Sequence, residues 1–143
     1  MLERSGLLAR ALEFGSGMER RVAYVIERMK ERLHTETSID ALAADVGLSP
    51  SRLGFLFRQA TGTSPRTYLH MLRMERARVL LESTDLSVGN VMRQVGIFDP
   101  SHFSRDFRKA HGLSPRAYRL QLRLAGPPRR YLNSVRFPNG ENR

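Results

Sequence analysis

Gly47-Leu48-Ser49-Pro50-Ser51-Arg52-Leu53-Gly54-Phe55-Leu56-Phe57-Arg58, followed by Gly62-Thr63-Ser64-Pro65-Arg66-Thr67-Tyr68, decides the fold because it is written twice. About fifty residues on, Gly96 leads into Asp99-Pro100-Ser101-His102-Phe103-Ser104-Arg105-Asp106-Phe107-Arg108, then Gly112-Leu113-Ser114-Pro115-Arg116-Ala117-Tyr118. Phe57, Gly62, Pro65 and Tyr68 recur as Phe107, Gly112, Pro115 and Tyr118.

Each copy reads as a helix, a tight turn and a second helix. In the first, Ser38 caps a helix whose inward face is Ile39, Leu42, Ala43 and Val46. Gly47 stands where the chain must leave that helix, a place that favours positive φ. Ser49-Pro50 then starts the next helix: a hydroxyl for free N–H groups, then a proline where no N–H partner is needed. The second copy repeats this with Ser87, the face Val88, Val91, Met92 and Val95, then Gly96 and Asp99-Pro100. The second helices are predicted to bury Leu53, Leu56, Phe57 and Ala60 in one copy, and Phe103, Phe107 and Ala110 in the other. Gly62 and Gly112 end them, and Ser64-Pro65 and Ser114-Pro115 open the helices that follow. Four cap-plus-proline starts in matching places mark a duplicated helix-turn-helix unit.

Outward from the repeat, a linking helix is predicted from about residue 65 to 83, with Leu69, Leu72, Ala77, Leu80 and Leu81 on one half. Arg73 falls in that half, so it should pair with a carboxylate or reach solvent. The helix would be roughly 27 Å long. A rigid strut of that length permits two recognition helices near successive turns of one DNA face, roughly 34 Å apart, without demanding it. Ahead of the repeat, Val22, Val25, Ile26, Met29 and Leu33 predict a core-facing helix from Met18 to about Leu33. Residues 1–16 read as an amphipathic helix with Leu2, Leu8 and Leu12 on one side, ended by Gly15-Ser16-Gly17. After Leu124, Ala125-Gly126-Pro127-Pro128 cannot continue a helix.

The organisation expected is therefore all-α: an N-terminal helix or linker over 1–17, a domain over 18–124, and a mobile basic tail over 125–143. Inside the domain the first helix-turn-helix unit covers about 38–62 and the second about 87–112. The last helix runs over about 115–124.

Composition narrows the function classes. At 143 residues and 41% hydrophobic, the chain has enough material for a real core. Nothing approaches the ~18-residue apolar run of a membrane span, and Met1-Leu2-Glu3-Arg4 lacks the apolar core of a signal peptide. With no cysteine there are no disulfides, thiolate metal sites or thiol nucleophiles; a reducing cytoplasm fits. The net charge is +10, and only Lys30 and Lys109 are lysines. Arginine offers a planar fork of donors matched to phosphate and to guanine edges. Charge alone leaves nucleic acid, an anionic membrane and simple solubility all open.

In a helix-turn-helix the first helix braces the DNA backbone and the second reads base edges in the major groove. Removing the buried positions leaves Ser51, Arg52, Gly54, Phe55, Arg58 and Gln59 outward in the first recognition helix. The second leaves Ser101, His102, Ser104, Arg105, Arg108 and Lys109. Arg52 and Arg105 are the expected base readers, since a guanidinium donates twice to guanine O6 and N7. Arg58 and Arg108, a turn or so further on, are expected to hold phosphate. Taken singly, each arginine reads equally as a solvated charge or an ion pair; two equivalent faces favour contact with DNA. Phe55 has two readings: contact with a thymine methyl, or packing against helix 18–33 or another chain. Gly54 offers bare backbone for a close approach, or merely a weakened helix. His102 is either a donor to DNA or a half-exposed surface histidine.

The chain resembles the AraC/XylS family of bacterial transcription regulators, from about Met18 to Leu124. The resemblance rests on Leu42-Ala43-x-x-Val46-Gly47-Leu48-Ser49, Ser49-Pro50-Ser51-Arg52-Leu53, and Phe57-Arg58 followed by Gly62-x-Ser64-Pro65. It continues through Tyr68-Leu69, Arg73, Ala77 and Leu80-Leu81, then Val95-Gly96, Asp99-Pro100-Ser101-x-Phe103-Ser104-Arg105-x-Phe107 and Gly112-x-Ser114-Pro115-x-x-Tyr118-Arg119. It implies an all-α domain of seven helices, with a short extra N-terminal helix here. It also implies binding to promoter DNA, action on transcription initiation, and RNA polymerase as a partner. The chain departs from the family pattern in places. Ile97 replaces a usual phenylalanine, Phe98 a polar turn residue, and Met92 a usual alanine. Gly89 and Asn90 weaken that supporting helix. Gly54-Phe55 replaces what is often a polar, base-reading pair, so readout there is expected to lean on Arg52 and on DNA shape.

About seventeen residues precede the match, too few for a sensor barrel. The expectation is either a chain that acts alone or a fragment of a longer regulator, with a small-molecule effector only if a sensor domain is missing. No cofactor, metal or membrane partner is expected, and the sequence assigns no oligomeric state. Catalysis is not expected: His34, His70, His102 and His111 form no H-x-x-x-H spacing, and no nucleophile sits beside a base. The rival to DNA reading is a protein-interaction module built on the same fold, supported by Phe55 and residues 1–14.

Overall fold

The computed structural model describes residues 17–126, and these form seven helices with no strand among them. They are α1 (Gly17–Glu31), α2 (Ile39–Asp45), α3 (Pro50–Thr61), α4 (Pro65–Ser83), α5 (Val88–Gln94), α6 (Pro100–His111) and α7 (Pro115–Ala125). The expected helix over 1–16 and all but the start of the expected tail lie outside the described residues. None of the described helices is long and apolar enough to cross a membrane.

The helix starts are set locally, by the cap-plus-proline chemistry written in the sequence. The hydroxyl of Ser49 accepts from the Arg52 N–H at 3.1 Å, and Pro50 takes the first helical turn of α3. Ser64 accepts from Thr67 at 3.2 Å and Ser114 from Ala117 at 3.1 Å. Asp99 accepts from two N–H groups, Ser101 at 2.9 Å and His102 at 3.1 Å. Ser38 and Ser87 cap α2 and α5 in the same way. Each of these bonds satisfies a donor that the helix itself leaves orphaned.

The chain divides into two compact units. Among the described residues, the first comprises 17–32 and 37–68, the second 33–36 and 69–126. In the first unit, Val25, Ile26 and Met29 of α1 are sealed in the core with Leu42, Ala43, Leu53 and Phe57. Phe57 meets Tyr68 edge to face, ring centres 5.4 Å apart at 76°. In the second unit the core holds Met74, Ala77, Leu81, Val91, Met92, Val95, Phe103, Phe107 and Tyr118. Phe107 meets Tyr118 at 5.6 Å and 74°, the same aromatic contact repeated. Met92 lies on the inward face predicted for it, only 6% exposed.

Three expectations need correction. Ala60 and Ala110 are exposed; Thr61 and His111 are buried in their stead. The ladders Leu53, Phe57, Thr61 and Phe103, Phe107, His111 step by four residues along one face, so the helix phase carries the fourth-residue position inward whatever its polarity. Thr61 settles its hydroxyl on the Phe57 carbonyl at 2.8 Å, and His111 lies against Phe107 and bonds the Met74 carbonyl at 3.1 Å. Arg73 is half-buried and makes its bond to the backbone rather than to a carboxylate. Its Nη2 donates to the Thr35 carbonyl at 2.9 Å. Burial pushes its pKa down against the opposing pull of Glu36. Finally, α1 stops at Glu31, and Leu33 lies half-buried in the turn beyond it.

Two polar ties hold α4 to α7 inside the second unit. The Tyr118 hydroxyl donates to Glu82, which also pairs with Arg78. Burial and that carboxylate both push the Tyr118 phenol up. Arg119 donates to the carbonyls of Leu86, Thr84 and Leu81, closing the C-terminal end of α4.

Candidate nucleic-acid interface

The two turns are built alike. After α2, the N–H of Gly47 bonds the Ala44 carbonyl and that of Leu48 bonds Ala43, at 3.0 and 2.9 Å. After α5, Gly96 bonds Arg93 and Ile97 bonds Met92, at 3.0 and 3.1 Å. The second turn carries one residue more: Phe98 stands between Ile97 and the cap Asp99, and it is 61% exposed.

Each turn delivers a 12-residue helix with one face buried and the other open. All nine residues expected to face a duplex are exposed: Ser51, Arg52, Phe55 and Arg58 on α3, and Ser101, His102, Ser104, Arg105 and Arg108 on α6. Gln59 and Lys109 join them, and Gly54 is half-buried. Phe55 is 53% exposed rather than packed away beneath α1. The Arg52 guanidinium lies over its ring, 5.6 Å from the centre.

On α6, Pro100, Ser101, Ser104, Arg105 and Arg108 line an open groove of about 540 Å³ that Ser114 closes at the start of α7. Asp99 sits at its edge, its carboxyl held below the usual range chiefly by the His102 N–H. The His102 ring, 61% exposed, stands 3.9 Å from the same carboxylate. The sequence reading missed Asp106. One oxygen lies 3.7 Å from Nε of Arg105, and the other lies 3.5 Å from His70 on α4. A carboxylate directly beside a candidate reader was the available signal.

The offset between the units changes how the readers compare. Phe57 and Phe107, Gly62 and Gly112, Tyr68 and Tyr118 are each fifty positions apart. By that offset Arg52 matches His102, and Arg105 matches Phe55. The two arginines therefore hold different positions on their helices.

A family model described as a helix-turn-helix domain matches residues 42–121, more than half of the chain. The crystal structure of an AraC-type DNA-binding domain-containing transcriptional regulator from Chromobacterium violaceum superposes with a TM-score of 0.69 at 32% identity. It covers 77% of this chain and 98% of that one. The chain belongs to the AraC/XylS family. Among its relatives is the arabinose operon regulatory protein of Escherichia coli K12, 37% identical over 89 residues, which are 62% of this chain and 30% of that protein. The transcriptional activator NphR of a Rhodococcus species is 43% identical over 86 residues, 59% of this chain and 24% of that protein. This AraC/XylS chain thus spans less than a third of the length of either relative. The DNA-binding domain of AdpA, solved with a target DNA, superposes with a TM-score of 0.70 at 34% identity, covering 73% of this chain and 94% of that one.

Proposed function

We propose that the chain is a sequence-specific binder of double-stranded DNA that regulates transcription, with α3 and α6 entering successive major grooves of promoter DNA. The observation that carries this reading is the repeated exposed face, with Arg52 and Arg58 on one helix and Arg105 and Arg108 on the other. Both faces follow a tight turn and oppose a sealed aromatic core, the arrangement that lets a helix project into a groove. Arg52 and Arg105 supply bidentate donors for guanine. Arg58 and Arg108 neutralise phosphate and set register. A net charge of +10 draws the protein to the polyanion. Family membership supports the same reading, as does the AdpA domain, whose solved structure contains target DNA. RNA polymerase is the natural protein partner, in the cytoplasm at the nucleoid, and no catalytic step is assigned.

The test is duplex binding against salt. With roughly six to ten phosphate contacts, log K falls against log salt with a slope of roughly −5 to −9. Selection from a random duplex pool should yield half-sites about one helical turn apart, roughly 34 Å. Binding that is absent, or flat with salt, assigns the exposed faces to a protein partner instead.

A further inference from the structure

The outward face of α3 holds two neighbours that the packing of the core does not require. Gly54 lies in the body of a 12-residue helix, where glycine is less favourable than alanine. Its backbone is ordinary helix, outside the positive-φ glycines, and an added methyl would meet nothing within 4 Å. Phe55 beside it keeps more than half of its surface in water, at 53% exposure. Both costs fall on the side turned away from Leu53 and Phe57. At the matching positions of α6 stand Ser104 and Arg105, both polar.

We propose that Gly54 and Phe55 form a thymine-reading site. The Phe55 ring packs on the 5-methyl group of a thymine, and Arg52 takes the guanine of the neighbouring base pair. The inference rests on the DNA-binding reading above. Thymine's methyl is an apolar feature on the major-groove edge of the bases, and a phenyl ring is a fit partner for it. The guanidinium over the ring at 5.6 Å ties Arg52 to the same spot, so the two targets are adjacent. That contact also holds the fork partly oriented before DNA arrives. Ser51 and Gly54, the smallest outward residues of α3, keep the helix surface low on the other side of the ring. The backbone can then approach the strand closely enough for the ring to reach a base. The outward face of α6 carries no apolar side chain of this size, so dependence on a methyl belongs to one half-site only.

The probe is a duplex selected by the full chain from a random pool, with each thymine replaced in turn by deoxyuridine. That change removes the methyl and leaves the pairing intact. One thymine, beside a guanine in one half-site, should lose about fourfold in affinity, the worth of one buried methyl-sized group. Phe55→Ala, at an exposed position that leaves the core intact, should bind the thymine and deoxyuridine duplexes equally. Gly54→Ala should raise the melting temperature of the free protein while weakening the selected duplex. A flat deoxyuridine series, with salt-dependent binding intact, overturns the thymine site and leaves the DNA reading standing. A methyl effect that survives Phe55→Ala overturns the assignment, and unchanged affinity in Gly54→Ala overturns the close approach. If no duplex is enriched at all, the DNA reading itself fails and this inference falls with it.

Discussion

Gly96 turns the chain out of α5 at φ +74°, and a Cβ there would run into the Leu33 carbonyl and stand 3.2 Å from Nη2 of Arg73. Gly47 makes the corresponding turn at φ +70° with nothing within 4 Å of its would-be Cβ. Alanine in the left-handed region costs roughly 1–2 kcal/mol at either position. Gly96→Ala adds overlap with a backbone carbonyl, which cannot rotate aside. Urea unfolding should therefore show Gly96→Ala the more destabilised of the two; equal losses would mean the close approach constrains nothing. As sequence the two glycines look alike, because the Leu33 carbonyl arrives from more than sixty residues away in the chain. The charged faces carry a second residue-scale prediction. Arg105→Ala should relax preference at one base position, worth roughly 1–3 kcal/mol of discrimination, while Arg108→Ala should weaken all duplexes alike. Equal losses on every sequence would erase the division between reader and phosphate clamp.

Helix α6 ends at His111, 3% exposed, which fastens the helix to α4 through the Met74 carbonyl. Burial pushes its pKa below the ordinary 6.5 and Arg78 adds to that, while the Met74 bond, Glu75 and Glu82 pull it back up. As pH falls, the unfolded chain then takes this proton before the folded one does. The stability contributed by neutral His111 is full above pH 6.5 and declines below it, until the folded form is protonated too. Melting temperatures from pH 8 to pH 5 should fall less steeply in His111→Gln than in the parent; parallel curves would clear His111 of the effect. Element starts were legible because a cap and a proline act on the next few residues only, as at Ser49-Pro50 and Asp99-Pro100. Polar burial was less legible. The four-residue ladder from Phe103 and Phe107 could have flagged His111, but apolarity drew the reading to Ala110. The Thr35 carbonyl that receives Arg73 lies 38 residues away, beyond any local pattern.

For the molecule as a whole, duplication made the fold readable. Two weak patterns in the same order amount to a strong one, and the Phe–Tyr contact recurs at 5.4 and 5.6 Å. Yet the duplication is not copied on the exposed side, where the fifty-residue offset matches Arg52 to His102 and Phe55 to Arg105. The two exposed faces thus differ chemically: a guanidinium with an aromatic ring on α3, an imidazole with a guanidinium held near Asp106 on α6. Unlike faces require unlike half-sites, because each base edge offers its own donor and acceptor pattern. A selected operator should therefore lack close internal repetition, despite the repeated protein. The double variant His102→Arg, Arg105→Phe gives α6 the exposed residues of α3 at the matching positions, without touching Phe103 or Phe107. Fresh selection with that variant should change one half-site alone, drawing it towards the sequence of the other until the two approach a direct repeat. If the variant still binds duplex but selects the parent's operator, the side chains at 52, 55, 102 and 105 do not read bases. Specificity would then come from DNA shape, with the arginines reduced to holding phosphate.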